Sequence, residues 1–222
     1  MEERILRAVE RSGRKRSDLT LVAVSKKFSA DRIREAYESG LREFGENYVQ
    51  EFAGKQPELQ DLGGVRFHLI GHLQSNKVRQ ACELFQVIQT ADSAKLLKRL
   101  DAVAGEQGAT PEVLIEVKLS GEENKTGAAP EQVPELLKAA AECSAIRVTG
   151  LMTMPPWSED GEQSRPYFRR LAELGRHYGL DQLSMGMSND YEVAIEEGAT
   201  LIRVGTALFG PRPKPQKATT PV

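Results

Sequence analysis

The sequence predicts a single α/β domain folded as a closed (β/α)8 barrel, and three observations carry that prediction. Eight short apolar segments recur along the chain. Amphipathic helical segments lie between them. No shift in composition marks a domain boundary, and 222 residues lie near the lower end for one such barrel. Near-continuous apolar strands that alternate with helices pair in parallel, with both faces covered. A doubly wound open sheet is the second fold that this pattern allows.

An extra helix over MEERILRAVE opens the chain. The strand segments follow in order: TLVAVSK, REFGEN, RFHLIGH, QVIQTAD, EVLIEVKLS, IRVTGLMTM, QLSMGM and TLIRVGTALFG. Between the first two lies SADRIREAYESG, with Ser29 as N-cap, apolar Ile33, Ala36 and Tyr37 at helical spacing, and Gly40 at the end. YVQEFAGKQPELQDLGG is the weakest helix, because Gly54 and Pro57 interrupt it. The remaining connections, from SNKVRQACELF to SNDYEVAIEEG, follow the plan of the first. Residues 1–210 make the barrel domain. The segment 211–222 is rich in proline and lacks an apolar pattern, so it is expected to be an extended tail.

Composition excludes several classes of function. With 30 basic and 32 acidic side chains the net charge is −2, which gives no footprint for nucleic acid or an anionic membrane. The local run RSGRKR over 11–16 reads as the solvated end of the first helix. The two cysteines, Cys82 and Cys143, lie far apart without metal-ligand spacing, so no metal site is expected and a reducing cytoplasm fits. No apolar run reaches membrane-spanning length, and the charged N-terminus lacks a signal core.

In a barrel, function collects at the C-terminal ends of the strands. The stretch LVAVSKKF over 21–28 ends an apolar strand in two lysines. Strand alternation puts Val22, Val24 and Lys26 on one face and Leu21, Ala23, Ser25 and Lys27 on the other. If the valines fill the barrel, Lys26 projects from its interior and Lys27 faces outward. A lysine among apolar groups is deprotonated more easily and suits a Schiff base; the plainer reading is a packed stem with a solvated ammonium.

The last two strand ends add an anion site. GMSNDYEVAI gives Gly186 at a turn and Ser188 as N-cap with free backbone donors; VGTALFG gives Gly205 for close approach and Thr206 as a second hydroxyl. A lysine facing such a cradle points to a phosphorylated carbonyl ligand. Pyridoxal phosphate and the sugar-phosphate substrate of an aldolase both qualify. Arg203 stands on an otherwise apolar strand and needs an acceptor. Either Glu116 or a ligand atom, such as the pyridine nitrogen of pyridoxal phosphate, would serve.

Seven segments, AVSK, FGENYVQE, FHLIGHLQSNK, ENKTG, GLMTM, GMSNDYEVAI and IRVGTALFG, appear in the order of the motifs of the pyridoxal phosphate homeostasis proteins. The chain resembles that family from about Leu21 to Gly210. The resemblance implies an alanine-racemase-like barrel, fold type III among proteins that bind pyridoxal 5′-phosphate (PLP). It implies a Schiff base on Lys26, phosphate contacts from Ser188, Gly205 and Thr206, and Arg203 at the pyridine nitrogen. Asn47 and His68 would lie around the ring, with Met187 and Met152 as walls. For Met152, Met154 and Met187 the plainer reading, core methionines, is preferred. Lys77 and Lys125 match the family at loop positions without a role that physics assigns.

The implied function is a carrier or buffer of PLP in vitamin B6 and amino-acid homeostasis, without evident catalysis, whose partners are PLP and PLP-dependent apoenzymes. The alternative is a PLP-dependent racemase. Racemisation needs an acid/base group on each face of the substrate. Alanine racemases take the second from a further domain that this chain is expected to lack, which also favours a monomer.

Overall fold

The structure, a computed structural model, describes residues 1–122 and 126–211. Lys125 and the tail from residue 212 therefore lie outside the described residues. Eight parallel strands close into a barrel in chain order. They are β1 (Thr20–Val24), β2 (Glu43–Glu46), β3 (Arg66–Leu69), β4 (Val87–Ala91), β5 (Glu112–Glu116), β6 (Arg147–Met152), β7 (Gln182–Ser184) and β8 (Leu201–Val204). Helix α1 (Glu2–Arg11) precedes β1. Then α2 (Ala30–Glu38), α3 (Val49–Lys55), α4 (Val78–Leu84), α5 (Ala94–Gln107), α6 (Val133–Ala141), α7 (Arg165–Tyr178), α8 (Tyr191–Glu196) and α9 (Thr206–Phe209) each follow one strand.

The strand alternation read from LVAVSKKF holds from Leu21 to Val24, where β1 ends; Lys26 and Lys27 lie in the turn beyond it. Leu21 and Ala23 belong to the large core between strands and helices. Val22 and Val24 are buried on the opposite face. A Cβ built on Gly45 of β2 would lie 3.0 Å from Val22 Cγ1, so this face is the crowded barrel interior. A smaller interior cluster joins Val87, Leu114 and Met152, with Met154 packed against it. Met152 is thus a barrel filler.

Local departures have local causes. The predicted third helix ends at Lys55, and Pro57 falls in a separate short turn over Gln56–Leu59, since proline cannot donate within a helix. The eighth strand stops at Val204 and residues 206–209 form a helical turn, so the predicted strand was too long. Ser29 stands at the N-cap of α2, but its hydroxyl makes no capping bond. Ser188 does not cap α8: Asp190 holds that position and its carboxylate accepts from the Met187 N–H at 2.7 Å. In the basic run, Arg14 is half-buried and donates to the Ala199 carbonyl at 2.6 Å, while Arg11 and Arg16 pair with Glu196 and Glu2. That run therefore pins the N-terminal segment to the end of the fold. Among the described residues no helix is long and apolar enough to cross a membrane.

Candidate functional site

Barrel closure brings the two ends of the sequence together. Strand β8 pairs with β1, matching Arg203 to Val22 and Val204 to Ala23. Gly205 comes next to Val24, and a Cβ built on it would lie 3.3 Å from both the Val24 Cβ and carbonyl oxygen. A larger residue there would push the two strand ends apart. Lys26 stands just past β1, half-buried, in a turn that the Phe28 N–H closes on the Ser25 carbonyl at 3.1 Å. Lys27 is exposed, with φ of 66°.

A buried ion cluster holds this turn from outside the barrel. The Ser25 hydroxyl donates to Glu46 Oε1 at 2.8 Å. Lys55 of α3 bridges Glu46 and Glu51 at 2.9 and 2.7 Å and donates to the Ser25 carbonyl at 3.2 Å. The Lys27 N–H donates to Glu51 Oε1 at 2.5 Å. Both backbone neighbours of Lys26 are therefore fixed by one set of charges. Burial raises the Glu46 pKa, and the attraction of Lys55 offsets part of that rise.

On the facing side, Ser188 and Thr206 share a cavity of about 470 Å³ with Met187, Asn189, Asp190 and Trp157. A second cavity of about 310 Å³ contains Glu116, Lys118, Met154 and Trp157, and Met187 lines both. Gly186, at φ of 92°, turns the chain into this region, and a Cβ on it would lie 2.5 Å from Ala194 Cβ. With Asp190 taking the cap, the Ser188 hydroxyl is not committed to the helix. Asp190 also accepts from the Ser164 hydroxyl at 2.8 Å.

Arg203 is 3% exposed. Its Nη1 donates to Ser184 Oγ at 2.6 Å and its Nη2 to the Thr153 carbonyl at 2.9 Å. Burial pushes its pKa down to about 10, so it remains a cation at neutral pH. The expected direct alternative, Glu116, accepts instead from the Thr126 hydroxyl at 3.0 Å. Glu116 leaves Oε2 buried without a hydrogen-bond partner among the described residues. Burial raises its pKa, the Thr126 bond lowers it, Asp92 raises it, and Arg203 and His72 pull it back.

Asn47 is half-buried beside a third cavity of about 500 Å³, which it shares with Tyr48, His72 and Lys77, and its Oδ1 is buried without a partner among the described residues. His68 departs from expectation. Its Nδ1 lies 2.8 Å from Gln89 Nε2 and its Nε2 lies 2.5 Å from Glu43 Oε2. It opens onto a cavity at the N-terminal ends of the strands, with Thr20, Glu43, Arg66 and Glu112. Four residues beyond it, exposed His72 reaches the mouth instead. His68 is the third of the four residues of β3, and its side chain turns down toward Glu43, the first residue of β2, instead of up toward the mouth.

Lys55, Ser184, Gln89 and Asp190 were not singled out from the sequence. The signal for Ser184 and Gln89 is polarity at an interior strand position. That for Lys55 is its spacing of four from Glu51, masked by the interrupted helix pattern.

Residues 3–213 match the family model of the alanine racemase N-terminal domain. A pyridoxal phosphate homeostasis protein of Aquifex aeolicus is 45% identical over 216 residues, covering 95% of this chain and 94% of the relative. The chain belongs to the pyridoxal phosphate homeostasis protein family. Another member, from Pseudomonas aeruginosa, is 44% identical over 94% of this chain and 91% of its own. The fold is shared with PipY of Synechococcus elongatus, solved with PLP bound: TM-score 0.82, 41% identity, 93% of this chain and 100% of that one. An alanine racemase of Clostridium difficile shares the barrel alone, at 14% identity and TM-score 0.68 over 97% of this chain and 60% of its own.

Proposed function

We propose that this protein holds PLP as a Schiff base on Lys26 and serves as a non-catalytic carrier or buffer in PLP and amino-acid homeostasis. The observation that carries this reading is the closure of β8 on β1, which brings Gly205 against Val24, two residues before the proposed anchor lysine. The residues present fit the group. Gly205 leaves room where a Cβ would meet Val24, the Ser188 and Thr206 hydroxyls share one cavity, and Arg203 is a fixed cation on the adjoining strand. The family and the PLP bound to PipY support the same ligand.

When bound, PLP supplies an aldehyde that condenses with an amine and a ring that can accept electrons. In this reading Lys26 supplies the amine, Ser188 and Thr206 donate to the phosphate, and Gly205 lets backbone approach it. Arg203 would donate to the ring nitrogen. Because the guanidinium keeps its proton, that nitrogen would stay unprotonated and the ring would be a weak electron sink. This favours holding over catalysis. Asn47 and Met187 complete the surroundings in the same proposal. The recipients would be PLP-dependent apoenzymes in the cytoplasm, served by a monomer; both cysteines are free thiols, as a reducing compartment requires.

The test is direct. Purified protein incubated with PLP should turn yellow, and borohydride should fix a pyridoxyl group on the peptide containing Lys26. Holo protein should restore an apo-transaminase faster than PLP leaves spontaneously. Adduct formation only with a sugar phosphate would overturn the reading, and racemisation of an amino acid lost in Lys26→Ala would replace carrier by enzyme.

A further inference from the structure

A chain of buried polar side chains crosses the barrel interior beneath Arg203. Arg203 Nη1 donates to Ser184 Oγ at 2.6 Å, and that hydroxyl donates to Gln89 Oε1 at 2.6 Å. Gln89 Nε2 faces His68 Nδ1 at 2.8 Å, and His68 Nε2 faces Glu43 Oε2 at 2.5 Å. Ser184 and Gln89 have no solvent exposure and His68 has 1%. Glu43 ends the chain on the cavity at the opposite end of the barrel, near Arg66 and Glu112.

With the Gln89 amide oriented as it stands and a neutral imidazole, the bonding pattern has one direction. Ser184 accepts from a guanidinium, so its own proton goes to Gln89 Oε1. Gln89 then presents its amide N–H to His68, whose Nδ1 must accept. The hydrogen of the imidazole is therefore on Nε2, aimed at Glu43. Every donor points from the cation toward the carboxylate, an order in which successive hydrogen bonds polarise one another.

Resting on the reading that Arg203 serves the cofactor ring, we propose that Gln89, His68 and Glu43 are positioning residues that fix the aim of Arg203 through Ser184. A buried polar group with a missing partner is costly, so one break forces rearrangement along the chain. An apolar interior would fill the barrel as well but would leave the guanidinium held only by the Thr153 carbonyl. The barrel floor is in this way coupled to the cofactor mouth.

The experiment compares Gln89→Leu, Glu43→Gln and a packing control, Leu114→Ala, with wild type loaded with PLP. Gln89→Leu should weaken PLP binding about tenfold and shift the absorption maximum of the bound cofactor and its pH titration. Glu43→Gln retains an acceptor for His68 and lies at the rim; it should fold and shift the titration less. Leu114→Ala should lower stability while leaving the spectrum unchanged. Imidazole nitrogen NMR without cofactor should find His68 protonated on Nε2 in wild type and altered in Gln89→Leu. Wild-type spectra and affinity in both relay variants would overturn the relay even with PLP on Lys26. A different His68 tautomer would do the same. A wild type that binds no PLP would instead overturn the functional reading beneath it.

Discussion

The ammonium nitrogen of Lys55 sits 2.9 Å from a carboxylate oxygen of Glu46, a side chain with no solvent exposure. Removing one partner of such a pair strands a charge. Lys55→Met is expected to lower stability by about 3–5 kcal/mol. The double variant with Glu46→Gln should recover much of that loss, and urea denaturation of the single and double variants checks both. The same single variant should slow capture of PLP, because Lys55 also holds the Ser25 carbonyl beside the anchor.

Hydroxyls that donate to a phosphate should matter only when the phosphate is there. Ser188→Ala and Thr206→Ala are each expected to weaken PLP binding about tenfold, in line with ~1.5–3 kcal/mol for a hydrogen bond to a charged group. Binding of pyridoxal, which lacks the phosphate, should not change. Equilibrium dialysis with both compounds makes the comparison, and equal losses for the two would place the hydroxyls elsewhere in the ligand.

Trp157 is the one tryptophan of the sequence, and it lines both cavities at the mouth while remaining 73% exposed. PLP bound there would absorb its emission. Tryptophan fluorescence should fall on saturation with PLP and recover when the cofactor is removed. Trp157→Phe should abolish the signal without abolishing the yellow colour.

Burial raises the Glu116 pKa, so the folded state holds this proton more tightly than the unfolded chain. Its contribution to stability is fully present below the unfolded carboxylate value and is lost as pH rises through the folded value. Glu116→Gln should therefore look more stable, relative to wild type, at pH 7 than at pH 4. Urea midpoints at the two pH values test this, and a difference independent of pH would remove Glu116 from the account.

The architecture was legible because strand and helix periods differ, and eight alternations leave few ways to cover a parallel sheet. The facing of Val22 and Val24 followed from the two-residue repeat alone, whereas Lys26 and Lys27 lie in a turn past the strand. Boundaries were less legible: strand propensity in TALFG did not foresee the helical turn after Gly205. Depth was harder still. The alternation places His68 inside, but only its contact with Glu43 and the cavity that it lines turn it toward the floor rather than the mouth. Asp190 rather than Ser188 stands at the N-cap position of α8, and local sequence does not rank two residues that can both accept from backbone. Long-range partners such as Lys55 with Ser25, or Gln89 with Ser184, are set by closure and have no local signature.

That closure has a consequence for the protein's birth. Lys26 is made early, while β8 is made some 180 residues later, and β1 meets β8 only when the ring shuts. On the proposed reading, a chain still on the ribosome without its last strand would have an anchor and no cradle. Capture of the cofactor then becomes a report that synthesis has finished and the final seam has formed.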